Sequence, residues 1–366
     1  MDITPKDLVL LLLGAVLGVI LGIALHRPLD RAWSKVTRRI SWYRSRLRSE
    51  HTDEVFRVGS VGFKWQVLEG SIDQPYRHGS IRAILEGDLT LPNDIQTKKA
   101  EIAAAQSTLE STRGLRACHD GPMVSLSSFN FARSQTREDP LLTLHFLRTS
   151  YYVFMATSLQ LDKPTIALDG TQTTLRDRFL SSTSFKQPVP LLATSFAVNL
   201  AVVTSDNYLL YGKRGSEGVT SYEGTFTVPI NECVNPTTDL VAPGEIDLWR
   251  TAVRGAREEL GIDVPAEDIV LFTLGVDPAY YFYAVTGVAY LRSHTRDYLL
   301  ARRSTGQTRD QMELAELYSI KLDGEAAAKI FRETGPLHRW HPVGAVALLQ
   351  TLMREVGSPS VERALK

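Results

Sequence analysis

Residues 245–262 read Glu-Ile-Asp-Leu-Trp-Arg-Thr-Ala-Val-Arg-Gly-Ala-Arg-Glu-Glu-Leu-Gly-Ile. Ile246, Trp249, Val253, Ala256 and Leu260 recur at three- and four-residue steps, which predicts a helix over 245–260 with one apolar face. Gly261 stands where such a helix stops. Upstream, 195–214 alternates as two strands joined at the turn-forming Ser205-Asp206-Asn207, and Gly224–Ile230 continues as a strand. Downstream come two apolar, β-branched runs, 269–276 and 280–291, then a short strand at 317–322 and a closing helix over 343–356. Mixed strands around a central helix, with a helix at the end, predict an α+β sandwich.

Within that helix, Arg254, Glu258, Glu259, Gly261 and Ile262 match the last part of the pattern G-x5-E-x7-R-E-U-x-E-E-x-G-U, with U aliphatic, so the segment resembles a Nudix box. The resemblance covers about 190–360, including the aromatic-Pro segment Trp340-His-Pro-Val before the last helix, and implies a Nudix-like α/β/α sandwich. In that family the glutamates hold divalent cations, here Mg²⁺, against a diphosphate. Carried over, Glu245, Glu258 and Glu259 become the metal residues, and Lys213, Arg214, Arg254, Glu258 and Glu259 the ligand-binding ones. The departures fall on the chemistry. Gly255 replaces a metal-binding glutamate, Ile246 fills the upstream glutamate position with Glu245 one residue away, and Leu240 replaces the leading glycine. Hard-cation affinity rises with ligand charge, so binding is expected in preference to turnover, with no catalytic residue assigned unless Glu258 and Glu259 serve a hydrolase.

The rest of the chain divides into an anchor (1–26), a basic segment (27–50), a β-rich segment with a helix near 95–112 (51–115) and a β-containing extension (116–189), ahead of the Nudix-like part (190–366). Leu141–Leu161 reads as a pair of β segments. Two cysteines, Cys118 and Cys233, are too few for a disulfide framework and lack metal-ligand spacing.

Charge is balanced at 41 basic and 41 acidic residues, but residues 1–50 hold nine basic against four acidic. Leu8–Leu25 is 18 residues without a charge, a stretch of about 27 Å as a helix, which predicts a single transmembrane span. The arginines that follow it predict a periplasmic N-terminus and a cytoplasmic body at the bacterial inner membrane. Gly14, Gly18 and Gly22 share one helix face, the pattern of close helix association. Leu29, Trp33, Val36, Ile40, Tyr43 and Leu47 form a heptad seam among arginines, compatible with a coiled coil or with a helix lying on anionic lipid. A nucleic-acid role is the weaker reading of that basic stretch, and no DNA partner is expected.

A Nudix-like domain behind such a helix is similar to the SMODS-associated Nudix effectors of bacterial cyclic-oligonucleotide anti-phage signalling (CBASS). That resemblance implies a body that senses a cyclic nucleotide, self-associates, and acts on membrane lipid through its helix, ending in membrane disruption and cell death. Two other readings stand beside it: a membrane-tethered, Mg²⁺-dependent Nudix hydrolase of a nucleoside diphosphate derivative, and a scaffold that binds only protein.

Overall fold

A computed structural model describes residues 56–113, 118–135, 138–166, 172–215, 220–304, 314–335 and 337–366. Strands β1 (Phe56–Val58) and β2 (Val61–Phe63) make a hairpin, and β3 (Gln66–Gly70) and β4 (Ile81–Asp88) lead to helix α1 (Asn93–Arg113). Strands β5 (Pro122–Arg133) and β6 (Pro140–Ser150) are followed by α2 (Tyr151–Ala156), the ribbon β7 (Thr165–Ile166) and β8 (Gln172–Thr173), and α3 (Leu175–Phe179). Next come β9 (Phe196–Thr204), β10 (Tyr208–Arg214), β11 (Phe226–Thr227), β12 (Ile230–Cys233), β13 (Leu240–Ala242) and β14 (Glu245–Ile246). Helix α4 (Leu248–Gly255) continues as a π turn over Ala256–Leu260. Strands β15 (Ile269–Asp277) and β16 (Phe282–Leu291), α5 (Arg296–Ser304), β17 (Leu314–Lys321), α6 (Ala326–Thr334), α7 (Pro342–Val356) and α8 (Ser358–Ala364) complete the chain.

The central sheet runs β11-β10-β9-β16-β15-β3, with β12 also paired to β9 and β17 to β10. Strand β9 is buried at all nine positions, because both faces of the sheet are covered. Phe196, Val198, Leu200 and Val202 point into a core shared with Trp249 and Ala252 of α4 and with Leu126, Leu144 and Phe146 of a second sheet. That second sheet has the order β13-β14-β4-β6-β5. Ala197, Ala201 and Val203 point the other way, under Val343, Val346 and Leu349 of α7. Burying one such aliphatic or aromatic side chain is worth about 1.5–3 kcal/mol, so the two faces together outweigh any single polar contact. Close packing of α7 depends on Gly344, where a Cβ would fall 2.4 Å from Thr227 Oγ1.

The strands expected over 195–214 and 269–291 form, and Asn207 adopts a left-handed φ of 62° in the turn between β9 and β10. The continuous strand expected over Gly224–Ile230 does not form. Gly224 sits in a turn at φ 64°, only Phe226–Thr227 pairs with β10, and Ile230 opens β12 against β9. Helix α4 starts later than the apolar period indicates. Asp247 caps it by accepting from the Trp249 amide (2.9 Å), while Glu245 and Ile246 pair as a strand with Ile84 and Ala83 of β4. Gly261 ends the helical run at φ 68°, as a left-handed stop requires. Tyr151–Ala156 is helical, not the second β segment expected there. Its Tyr152 amide donates to Asp120 Oδ1 (2.7 Å), and Val153, Phe154 and Ala156 are buried, so packing overrides the β preference of aromatic residues.

The expected fold class is corrected in one respect. The molecule is an α+β body, and among the described residues no helix is long and apolar enough to cross a membrane. The span expected at 8–25, with Gly14, Gly18 and Gly22, and the basic segment 27–50 lie outside the described residues. The single-pass inner-membrane location drawn from them is withdrawn with the span.

Candidate functional site

Strand β12 carries two different environments on its two faces. Because side chains alternate along a strand, Glu232 faces α4 while Asn231 and Cys233 face a cavity.

On the α4 side the organising group is Arg254. Its guanidinium donates to both oxygens of Asp239 (2.9 Å each), to Glu232 Oε1 (2.6 Å) and to the Cys233 carbonyl (2.7 Å). Glu258 Oε2 lies 3.6 Å from the same group. Asp239 is fully buried and also accepts from Thr251 Oγ1 (2.8 Å) and the Asn235 amide (2.9 Å), so it fixes the loop that leads into α4. Burial pulls the arginine's pKa down, but the hydrogen bonds of Asp239 and the charge of Glu232 outweigh it and hold the pKa above the ordinary value.

Gly255 sits in ordinary helical conformation, yet a Cβ there would fall 2.8 Å from Glu232 Cβ and 3.0 Å from Ile230 Cγ2. The position that carries a glutamate in the Nudix box is therefore closed by the strand beneath it. Glu259 is buried, and its negative charge offsets part of the lowering that burial imposes on Arg303 of α5. Glu245 is exposed on β14. Among the described residues no three His, Cys, Asp or Glu side chains are grouped to hold a metal. The arrangement does not fit a divalent cation, since Arg254 already supplies the positive charge to Glu232, Asp239 and Glu258.

The second environment is a cavity of about 110 Å³ between the end of β10, the 220–222 loop, α2 and the start of α7. Arg214, Tyr222, Asn231, Tyr280, Phe282 and His341 are among its walls. Arg214 makes no ion pair among the described residues, and its buried Nε has no hydrogen-bond partner there. Lys213, the neighbour grouped with it on sequence grounds, points away and pairs with Glu316 of β17 (3.0 Å). A bulge between Lys213 and Arg214 separates the two further.

Tyr222 has a left-handed φ of 54°, an uncommon conformation for a bulky residue. Its hydroxyl donates to the buried Asp277 carboxylate, and its ring packs on His341 (4.6 Å) and edge-on to Tyr280 (5.2 Å). The loop is held two residues earlier as well, since Thr220 Oγ1 lies 2.6 Å from the Tyr151 hydroxyl. Burial raises the pKa of Asp277 to about 6, against the hydrogen bond from Tyr222 that lowers it. Burial, joined by the positive charge of Arg214, pushes His341 well below its ordinary value, so the cavity presents a neutral imidazole.

A larger open groove of about 970 Å³ lies along Ile72, Tyr290 and the α7–α8 corner. Its polar groups already have partners: Arg292 pairs with Asp268, Tyr290 donates to Glu355 (2.5 Å), and Arg354 donates to the Ile72 carbonyl. It offers no unpartnered buried charge.

Of the residues singled out by sequence, then, Arg254 and Glu258 meet at one cluster, Glu259 lies in the same helical turn, and Arg214 alone reaches the cavity. Tyr222, Asn231, Asp239, Asp277 and His341 are functional candidates that sequence reading missed. Only His341 carried a signal, as the residue before the proline that opens α7.

No known family profile matches this sequence, and no curated protein matches it. Solved structures similar to it include DR0079 from Deinococcus radiodurans, at 11% identity over 51% of this chain and 96% of that one, with a TM-score of 0.29. A MutT protein from Methanosarcina mazei Go1 aligns at 17% identity over 44% and 94%, with a TM-score of 0.28. A T. brucei MERS1–RNA complex aligns at 14% identity over 71% and 90%, with a TM-score of 0.25. The first two are Nudix-type proteins. At these scores the similarities carry no conclusion about chemistry, which rests on the geometry above.

Proposed function

We propose that this chain is a Nudix-like nucleotide-binding protein that holds its ligand without hydrolysing it, in the role of a sensor such as the cyclic-nucleotide receptors of anti-phage signalling. The observation that supports this reading is Arg254. It pairs with Glu258, one of the three carboxylates a hydrolase would present to Mg²⁺, as well as with Glu232 and Asp239, and Gly255 leaves no room for the missing glutamate. A few kcal/mol of charge-assisted hydrogen bonding would have to be given up before a cation could take its place. Binding falls instead to the Arg214 cavity, where a guanidinium, neutral hydroxyl and amide groups and aromatic rings converge.

The test is incubation of the full chain with ADP-ribose and with a cyclic dinucleotide, with and without Mg²⁺, followed by thermal melting and chromatography of the nucleotides. The expected result is a raised Tm with intact nucleotide, independent of Mg²⁺. Mg²⁺-dependent consumption that is lost in Glu259→Gln would establish the hydrolase instead.

A further inference from the structure

We propose that the Arg214 cavity selects a singly charged phosphodiester and discriminates against terminal phosphomonoesters and diphosphates, an assignment that rests on the binding reading above. Arg214 is the one formally charged group among the described lining residues. The imidazole beside it stays neutral, for it is fully buried next to that guanidinium. Tyr222 keeps its proton, because burial and the negative charge of Asp277 raise its pKa far above neutrality. The wall therefore carries one positive charge, with the Asp277 carboxylate directly behind the Tyr222 hydroxyl.

An anion entering such a site exchanges water for a low-dielectric lining, and each negative charge beyond the first finds no partner there. The desolvation of that extra charge exceeds what a single guanidinium returns. A dianionic monoester or a trianionic diphosphate is penalised for this reason, and a monoanion is not. The donor geometry agrees. The guanidinium fork matches two oxygens of one oxyanion, and a diester has two non-bridging oxygens. A monoester has a third, for which no second charged donor lines the cavity.

The remaining polar groups supply hydrogen bonds without charge. Ser221 and Thr220 line the cavity with Asn231. Opposite Asn231 in the strand ladder is Asn199, fully buried, with neither amide atom partnered among the described residues. The rings of Tyr222, Tyr280 and Phe282 give flat surfaces for whatever the two ester oxygens carry, as sequence-tolerant stacking on nucleobases requires.

The test is calorimetric titration of the full chain, without metal, using adenylyl-(3′,5′)-adenosine (one charge), AMP (two) and ADP (three). The buffer is set about two units above the second phosphate ionisation near 6, so that the monoester is a dianion. The dinucleoside monophosphate is expected to bind at least about 10-fold tighter than AMP, with ADP weakest. Arg214→Met is expected to lose that binding with Tm shifted by no more than about 4 °C, and Arg214→Lys, which keeps the charge but not the fork, to fall between. AMP or ADP binding as tightly as the diester overturns the charge selection while leaving the binding reading intact. Undiminished diester binding by Arg214→Met overturns the location. Consumption of the nucleotides overturns the binding reading itself.

Discussion

Arg254 and Arg214 serve the two sides of strand β12 in opposite ways. Arg254 is held by Asp239, Glu232, the Cys233 carbonyl and Glu258, so its charge is spent inside the protein. Arg214 faces a cavity with its Nε buried and no ionic partner among the described residues. One arginine is structural because its partners are internal. The other carries an unmet hydrogen-bonding demand, which is what a binding site is in energetic terms. On the proposed reading binding takes place at the cavity, while the helix that resembles a catalytic element holds the loop before it through Arg254 and Asp239.

Making the same substitution at both places is the most direct way to break this comparison. Arg254→Met strands Asp239, which is fully buried, and should cost about 3–5 kcal/mol by chemical denaturation. A loss near zero would mean that the cluster does not hold the loop before α4.

The next effect belongs to the cavity and depends on pH. The folded pKa of Asp277 is raised to about 6 from 3.8, so the folded state holds its proton more tightly than the unfolded chain. This group's contribution to stability therefore falls as pH rises from about 4 to about 6, and is flat above, by roughly 3 kcal/mol in all. Asp277→Asn removes that dependence. Its stability relative to the parent should climb over the same window, and a pH-independent difference would show that the carboxylate is not buried as described.

Restoring a side chain at the degenerate position sharpens the other half. Gly255→Ala drives a Cβ to 2.8 Å from Glu232 and should destabilise by about 1–3 kcal/mol. A neutral result would show that the strand yields and that the missing glutamate could be rebuilt. Arg214→Met, by contrast, should change stability by no more than about 1 kcal/mol, since it removes a buried donor that has no partner. The smallest effect is expected for Lys213→Ala, about 0.2–1 kcal/mol, because its pair with Glu316 is solvent-exposed. These two melts, compared with ligand binding, separate the neighbours that the sequence presents as one basic pair.

How far the sequence reaches depends on whether a feature is local. The strands and the closing helix were legible because period and turn chemistry are short-range: Ser205-Asp206-Asn207 turns, and Gly261 stops, by backbone preference alone. Tyr151–Ala156 was misread because its composition favours a strand while its contacts favour a helix. At the candidate site, Arg254 and Arg214 were visible as charges but not as opposites. Nothing near Asp239 in the chain says that it will be buried against Arg254, 15 residues away. Nothing near Tyr222 says that its hydroxyl will reach Asp277, 55 residues away.

The sequence by itself determined the alternation of strands, the amphipathic helix with its altered glutamate pattern, and the set of charged residues available. Only the tertiary structure decided which charges are consumed and which face a cavity. The physical reason is that the energy of a charge depends on its surroundings. Burial, partners and the pleat of β10 and β12 set those surroundings, and each is fixed by contacts between segments far apart in the chain.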